Sequence, residues 1–225
     1  MSGAMARAVS IVVAMVGVCL GLPASGGWFA GVDLGYAHVT FRPYYLDVLP
    51  TEIPNQYTDR AGGPQLGVVL GHEWRITPGI ALGAQARVAC DGATWRLDIT
   101  VEEHAHLEYD IRATAALSVV PAVRLGPELW LTGEAGYGFC RVRERKTSTD
   151  YSAYRFVDWV GCLVAGAGLR YELDRTVDLT VAYRFRRADS FTYWSYLGDG
   201  RHWETITDRP YQHSLAVGIR LRFGR

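Results

Sequence analysis

Lysine is almost absent. Lys146 stands alone among 23 basic residues, and the other 22 are arginines. Those 23 are matched by 23 acidic residues, so the formal charge is zero and a strongly basic nucleic-acid binder is not expected. Blocks of like charge are missing while 49% of the residues are hydrophobic, which argues against a disordered chain. No run of about 20 apolar residues follows the N-terminal region, so no helical membrane span is expected. Cysteine is scarce, at four, and no Cys-x-x-Cys or His/Cys ligand spacing occurs, so a structural zinc site is not expected. What is present is a chain of 225 residues with 25 glycines, a length common for one all-β domain.

The first 25 residues read as a cleaved secretory signal peptide. Arg7 supplies the positive region, Ala8 to Leu22 the apolar run, and Ala24, Ser25 and Gly26 the small residues. The apolar run is too short to cross a bilayer. A lipoprotein signal ending at Cys19 and an ordinary buried helix are the competing readings. Removal takes Arg7 and Cys19 away, leaving three cysteines and 22 basic against 23 acidic residues in a single domain, 26–225. Export brings that domain into an oxidising compartment.

Period-2 alternation runs along nearly all of it. Eight strands are predicted: about Trp28–Phe41, Gln65–Ile76, one from Ile80, about Leu107–Leu125, one from Leu129, about Phe156–Leu173, one from Val177, and Tyr211–Phe223. In the first, Val32, Leu34 and Tyr36 alternate with Asp33 and Gly35. In the seventh, Leu179, Val181 and Tyr183 alternate with Asp178, Thr180 and Arg184. In the fourth, Tyr109, Ile111 and Ala113 alternate with Glu108, Asp110 and Arg112, which assigns these three charges to the polar face. Three connections are tight: Thr77-Pro78-Gly79, Gly126-Pro127-Glu128 and Asp174-Arg175-Thr176. Four are long, about 42–62, 91–106, 143–155 and 187–210; in the second, Trp95–Val101 alternates again and is a candidate strand extension. Short turns alternating with long loops predict an all-β, eight-stranded antiparallel up-and-down transmembrane barrel. Both termini then lie on the short-turn, periplasmic side of an outer membrane, and the long loops are extracellular.

Volume assigns the faces. The apolar face carries about fifty side chains, and an eight-stranded lumen is only just wide enough to be filled by side chains. The polar face carries ten strand glycines: Gly31, Gly35, Gly67, Gly71, Gly83, Gly136, Gly138, Gly166, Gly168 and Gly218. Small residues suit the interior and large apolar ones suit lipid. Trp28, Trp74, Tyr171 and Phe223 gather at the turn ends of strands, and Phe41, Tyr109, Phe139, Trp159, Phe185 and Tyr211 at the loop ends. These are the two aromatic belts expected at membrane interfaces. A soluble barrel with an apolar cavity is the competing architecture.

The segments Gly27-Trp28-Phe29-Ala30-Gly31-Val32-Asp33-Leu34-Gly35-Tyr36, Leu131–Phe139 and Leu215–Phe223 resemble the first, fifth and closing strands of small outer-membrane barrels of the OmpA, OmpW and opacity-protein type. The resemblance covers the whole of 26–225 and is one of pattern. It implies the fold and the outer membrane; members of that group serve as membrane anchors, narrow pores and adhesins. Phe223 corresponds to their closing aromatic residue, although here Gly224 and Arg225 follow it. Outer-membrane lipid and the outer-membrane assembly machinery are the implied partners of a monomer.

Parity places Asp33, Glu73, Glu134 and Asp178 in the lumen with Arg87, Arg170, Arg184 and Arg220, and Asp158 with the fourth-strand charges nearer the outer mouth. Unpaired charges in a narrow lumen are costly, so these are expected to pair. They make either a salt-bridged plug or a selectivity ring. His38 and His213 face lipid on neighbouring strands, while Ser214 points the other way, so a catalytic pair is not favoured. His104 and His106 accompany Glu102 and Glu103 in the second loop, a weak metal spacing. The fourth loop holds Phe191, Tyr193, Trp194, Tyr196 and Trp203, either a contact surface for a host or matrix ligand or a self-packed lid. Cys140 and Cys162 share the lumen face of consecutive strands and are candidates for a disulfide. No cofactor, metal or catalytic residue is assigned. The expected function is a structural envelope barrel or narrow pore, with a loop-binding adhesin as the alternative and a lipid-modifying enzyme as a minor one.

Overall fold

A computed structural model describes residues 26–41, 44–46, 59–99, 105–148, 154–196 and 203–224. The signal-peptide residues, and Glu102, Glu103 and His104, lie outside them. Twelve strands are present: β1 (Gly26–Phe41), β2 (Tyr44–Leu46), β3 (Asp59–Thr77), β4 (Ile80–Asp91), β5 (Thr94–Ile99), β6 (Ala105–Arg124), β7 (Leu129–Ser148), β8 (Tyr154–Glu172), β9 (Val177–Ala188), β10 (Phe191–Tyr196), β11 (Trp203–Asp208) and β12 (Tyr211–Phe223).

Eight of them close a ring in the order β1-β3-β4-β6-β7-β8-β9-β12, each antiparallel to its neighbours. β1 and β12 seal it over thirteen residue pairs, from Trp28 opposite Phe223 to Thr40 opposite Tyr211. Closure leaves the ring without a free edge, the condition for a sheet to cross lipid. β5 continues β4 along β6 beyond Gly92 and Ala93, as the alternation of Trp95–Val101 suggested. β3 begins at Asp59, six residues before the predicted Gln65, so the first long connection is shorter than expected. The fourth long connection is not a plain loop. It contains β10 and β11, which pair with each other, and β11 also pairs with β2.

Local chemistry sets the turns. Asp174 Oδ1 accepts hydrogen bonds from the backbone N–H of Thr176 (2.6 Å) and Val177 (2.8 Å) and from the Thr176 hydroxyl (2.8 Å). The Thr176 N–H and hydroxyl and the Val177 N–H hold this exposed carboxyl below the usual carboxylate range. All three tight turns and both described chain ends lie at the same end of the ring.

The molecule is apolar outside and polar inside. Val32, Leu34, Leu66, Val68, Leu163 and Leu215 are each more than half exposed, whereas Asp33, Arg87, Arg170, Asp178 and Arg220 are buried. This inversion separates a lipid-facing barrel from a soluble one, whose apolar face turns inward. Trp28, His72 and Trp74 stack at the turn end, with centroid spacings of 5.1 and 4.6 Å.

One expectation fails on β6. A bulge between Ile111 and Ala113 adds Arg112 to the strand. Beyond it the faces exchange: Ile111 pairs with Val142 on the inner face, and Asp110 pairs with Arg143, on the face that carries Tyr137 and Phe139. Asp110 and Glu108 are therefore not lumen residues. They form an ion cluster with Arg112 and Arg143 on the other face.

If the exposed band meets acyl chains, Val32→Arg, near mid-strand, should cost about 2–4 kcal/mol in lipid. Urea unfolding in vesicles measures this; an unchanged midpoint would remove the band from the bilayer.

Candidate functional site

The lumen is where the chemistry-bearing side chains converge. All eight charged residues assigned to it by parity lie there, and they meet across the ring. Arg87, on β4, holds Asp33 of β1 by a fork of two hydrogen bonds, 3.0 Å from Nε and 2.5 Å from Nη2. The strand between them contributes Gly67, and a Cβ there would occupy the space where the two groups meet. Arg184 of β9 bridges two carboxylates, Glu134 at 2.9 Å and Asp33 at 3.5 Å. Ser118 and Gln85 also donate to Glu134, at 2.8 and 3.1 Å. Toward the turns, Glu73 accepts from Arg170 and from Arg220 (3.1 Å), and Arg220 also binds Asp178 at 3.0 Å.

Among the described residues, three ion pairs span the full diameter, joining strands four places apart in the ring. Arg75 of β3 reaches Glu172 of β8 at 3.2 Å near the turn end. Arg170 of β8 reaches Glu73 of β3 just above. Arg186 of β9 reaches Asp91 of β4 at 3.3 Å nearer the loop end.

The upper bridge was not among the predicted site residues. Asp91 is its centre: Thr114 (2.9 Å), Gln212 (3.0 Å), Gln65 and Arg186 all donate to it. Gln65, Arg186 and Gln212 follow the parity of the polar faces of their strands, but Asp91 lies in the segment 91–106 expected to be a loop. The turn end holds a second surprise. Trp130 is fully buried, with the guanidiniums of Arg170, Arg124 and Arg75 at 4.8, 5.3 and 5.9 Å from its ring. Phe29 is also inside, under Arg220 at 4.1 Å, in space that a Cβ at Gly71 would fill. Even parity on β7 and odd parity on β1 were the available signals for these two rings.

Between the Glu73 and Glu134 levels lies a cavity of about 70 Å³, lined by Phe29, Asp33, Gln85, Glu134, Arg170, Arg184 and Arg220 among others. It has room for a few water molecules, and Arg170 Nε and Nη2 donate to no protein acceptor.

The remaining candidates are placed as follows. Cys140 and Cys162 are both buried, face the lumen and are unbonded. The strand register differs from the directly opposed one expected: Cys140 stands opposite Val160 and Cys162 opposite Gly138, a two-residue stagger. Asp158 is exposed at the mouth, where it caps the Trp159 N–H. His38 and His213 are directly opposite each other, and Ser214 is buried on the lumen side. Among the described residues, no group of three or more His, Cys, Asp or Glu side chains could hold a metal ion. Phe191, Tyr193, Trp194, Tyr196 and Trp203 fall within β10 and β11.

No family model matches the chain, and no curated protein matches it. Among solved structures it is similar to the outer membrane protease OmpT of Escherichia coli, with a TM-score of 0.52 and 10% identity, covering 88% of this chain and 97% of that one. It is also similar to the attachment invasion locus protein Ail of Yersinia pestis (TM-score 0.45, 14% identity, 88% and 99% coverage) and to OprG of Pseudomonas aeruginosa (0.48, 14%, 88% and 97%). The likeness is one of fold. A protease on this fold means that the fold alone leaves enzymatic and non-enzymatic roles both available.

Two outcomes follow from the lumen geometry. Arg184→Ala leaves Glu134 with only neutral donors, so it should lower stability by about 3–5 kcal/mol, and Arg184→Leu with Glu134→Leu by less, because no charge is then stranded. Unfolding midpoints in vesicles test the order. For the thiols, the folded protein should react with maleimide at Cys90 alone, the exposed one, and the denatured unreduced protein at three positions. One reactive thiol after denaturation would mean that Cys140 and Cys162 are joined.

Proposed function

We propose that this chain is a closed outer-membrane barrel, non-enzymatic and non-conducting, that serves as a rigid envelope element. The observation carrying this reading is the set of full-diameter ion pairs, Arg75–Glu172, Arg170–Glu73 and Arg186–Asp91, which cross the lumen at separate depths. Trp130 and Phe29 add bulk at the turn end. A solute would have to break several buried pairs in succession, each costly to open. The turn end, with both termini, is the periplasmic side in this reading, and the loop end is extracellular. The outer-membrane assembly machinery delivers the barrel, reading a closing strand that ends at Phe223.

A second reading, display of a binding surface, is favoured by one feature. The residue pairing of β1 with β12 continues unchanged into β2 with β11: Thr40 faces Tyr211, and further out Leu46 faces Thr205. The barrel wall thus extends beyond its rim as a three-stranded sheet that carries the aromatic segment of β10. An extracellular ligand would meet that sheet first.

Planar-bilayer recording tests the primary reading. The unaltered barrel should give no sustained conductance, and Arg170→Ala combined with Arg186→Ala should produce discrete steps. Sustained channels from the unaltered protein would make the lumen a pore. Silence in the double variant would mean that the remaining side chains suffice to close it.

A further inference from the structure

Apart from the ion cluster on β6 and β7, the outer wall carries a polar patch at the loop end, on β9, β12, β1 and β3. It is built in cross-strand rows. Arg187, Tyr211, Thr40 and Arg60 stand side by side in one row. The row beneath, nearer the apolar band, holds Phe185, His213 and His38. Below that come Tyr183, Leu215 and Tyr36.

His213 is the hub. Its Nδ1 lies 2.5 Å from the Tyr183 hydroxyl, and the rings of Phe185 and Tyr211 pack at 5.2 and 5.6 Å. Tyr36 lies over Gly62, in space that a Cβ would take. The result is an aromatic shelf with a guanidinium at each side. Arg187 and Arg60 are exposed and make no ion pair among the described residues. Asp189, the acid two residues past Arg187, is engaged by the Tyr137 hydroxyl at 2.6 Å. Three interstrand gaps of about 4.8 Å set the two arginine backbones about 14 Å apart. Directly below the shelf, Leu215, Val217, Val181 and Leu34 are exposed.

We propose that this patch docks a phosphate-bearing lipid of the loop-side leaflet. This inference rests on the barrel spanning a membrane. Two features select the occupant. Arginine presents a planar fork that matches phosphate oxygens, and among the described residues no carboxylate pairs with either exposed guanidinium. The apolar wall below the shelf accepts acyl chains, which a soluble phosphate lacks. The headgroup lies across the shelf between Arg187 and Arg60, with its chains along Leu215 and Val217.

The probe is phosphatidic acid, compared with phosphatidylcholine of the same chains, on detergent-purified barrel read by native mass spectrometry. The unaltered protein should retain phosphatidic acid in preference. Arg60→Gln with Arg187→Gln should reduce that preference roughly thirtyfold, given the usual contribution of each arginine facing an anionic lipid surface. Arg175→Gln, in a tight turn at the far end, should leave it unchanged. Equal retention of the two lipids, or full retention by the double variant, overturns the proposal. Displacement by glycerol phosphate at equal concentration would make the ligand a soluble phosphate and overturn the lipid assignment. Each variant is first inserted into vesicles and checked for heat-modifiable gel migration. A barrel that inserts but shows no preference overturns this site alone; one that never inserts overturns the membrane reading with it.

Discussion

The pairing of every buried carboxylate inside a closed ring is the constraint on which the rest of this structure depends. Asp33, Glu73, Asp91, Glu134, Glu172 and Asp178 share the lumen with Arg87, Arg170, Arg184, Arg186, Arg220 and Arg222, and Arg75 and Arg124 reach Glu172 at the turn end, so each of these carboxylates is held by at least one arginine. A charge here has little water to fall back on, and breaking a buried pair is far more costly than losing a surface one. Arginine serves where lysine would not, because one guanidinium can satisfy two carboxylates: Arg184 joins Asp33 to Glu134, and Arg220 joins Glu73 to Asp178. The near absence of lysine is therefore consistent with an interior that needs forked donors. The lumen glycines belong to the same solution. Gly67 leaves the space in which Arg87 meets Asp33, and Gly71 leaves the space for Phe29.

Much of this was legible in the chain because lipid and a narrow lumen impose opposite rules on alternate residues. The strand faces, the tight turns at 77–79, 126–128 and 174–176, and the lumen position of the eight charges all follow from period-2 alternation. What alternation does not carry is the pairing. Arg170 and Glu73 are 97 positions apart and meet only because β8 and β3 stand opposite each other in the ring. No local signal encodes that. The bulge at Arg112 was hidden for a different reason. Ile111 and Ala113 look like successive members of one apolar face, yet the strand shifts register between them. Phe29 shares the polar face of β1 with Asp33 in the alternation, but that Phe29 and Trp130 fill the lumen rests on how arginines of other strands pack over them, which alternation does not carry. The stagger of Cys140 and Cys162 is set by the register of β7 against β8, which the strand faces alone do not give.

The inner and outer surfaces therefore perform separable tasks. The interior is a sealed, ion-paired lattice whose cross-diameter pairs tie β3 and β4 to β8 and β9, so the cross-section is held from within as well as by backbone pairing. A barrel braced in this way does not need its rim to stay closed. The strands are free to run on past the membrane, and they do, in β2, β10 and β11.

That bracing also bears on where recognition can arise. A substitution in the lumen disturbs partners on several strands at once, because each carboxylate is shared. A substitution on the outer wall at the loop end touches at most its two strand neighbours and whatever lies outside. Arg60 and Arg187 can change without unsettling Asp33 or Glu73, since the strand wall separates the two sets of side chains. The physical cost of altering a residue thus falls steeply from inside to outside. A ligand-binding role is expected to be written on the outer patch and the rim sheet, while the lumen supplies the rigidity that keeps both in register.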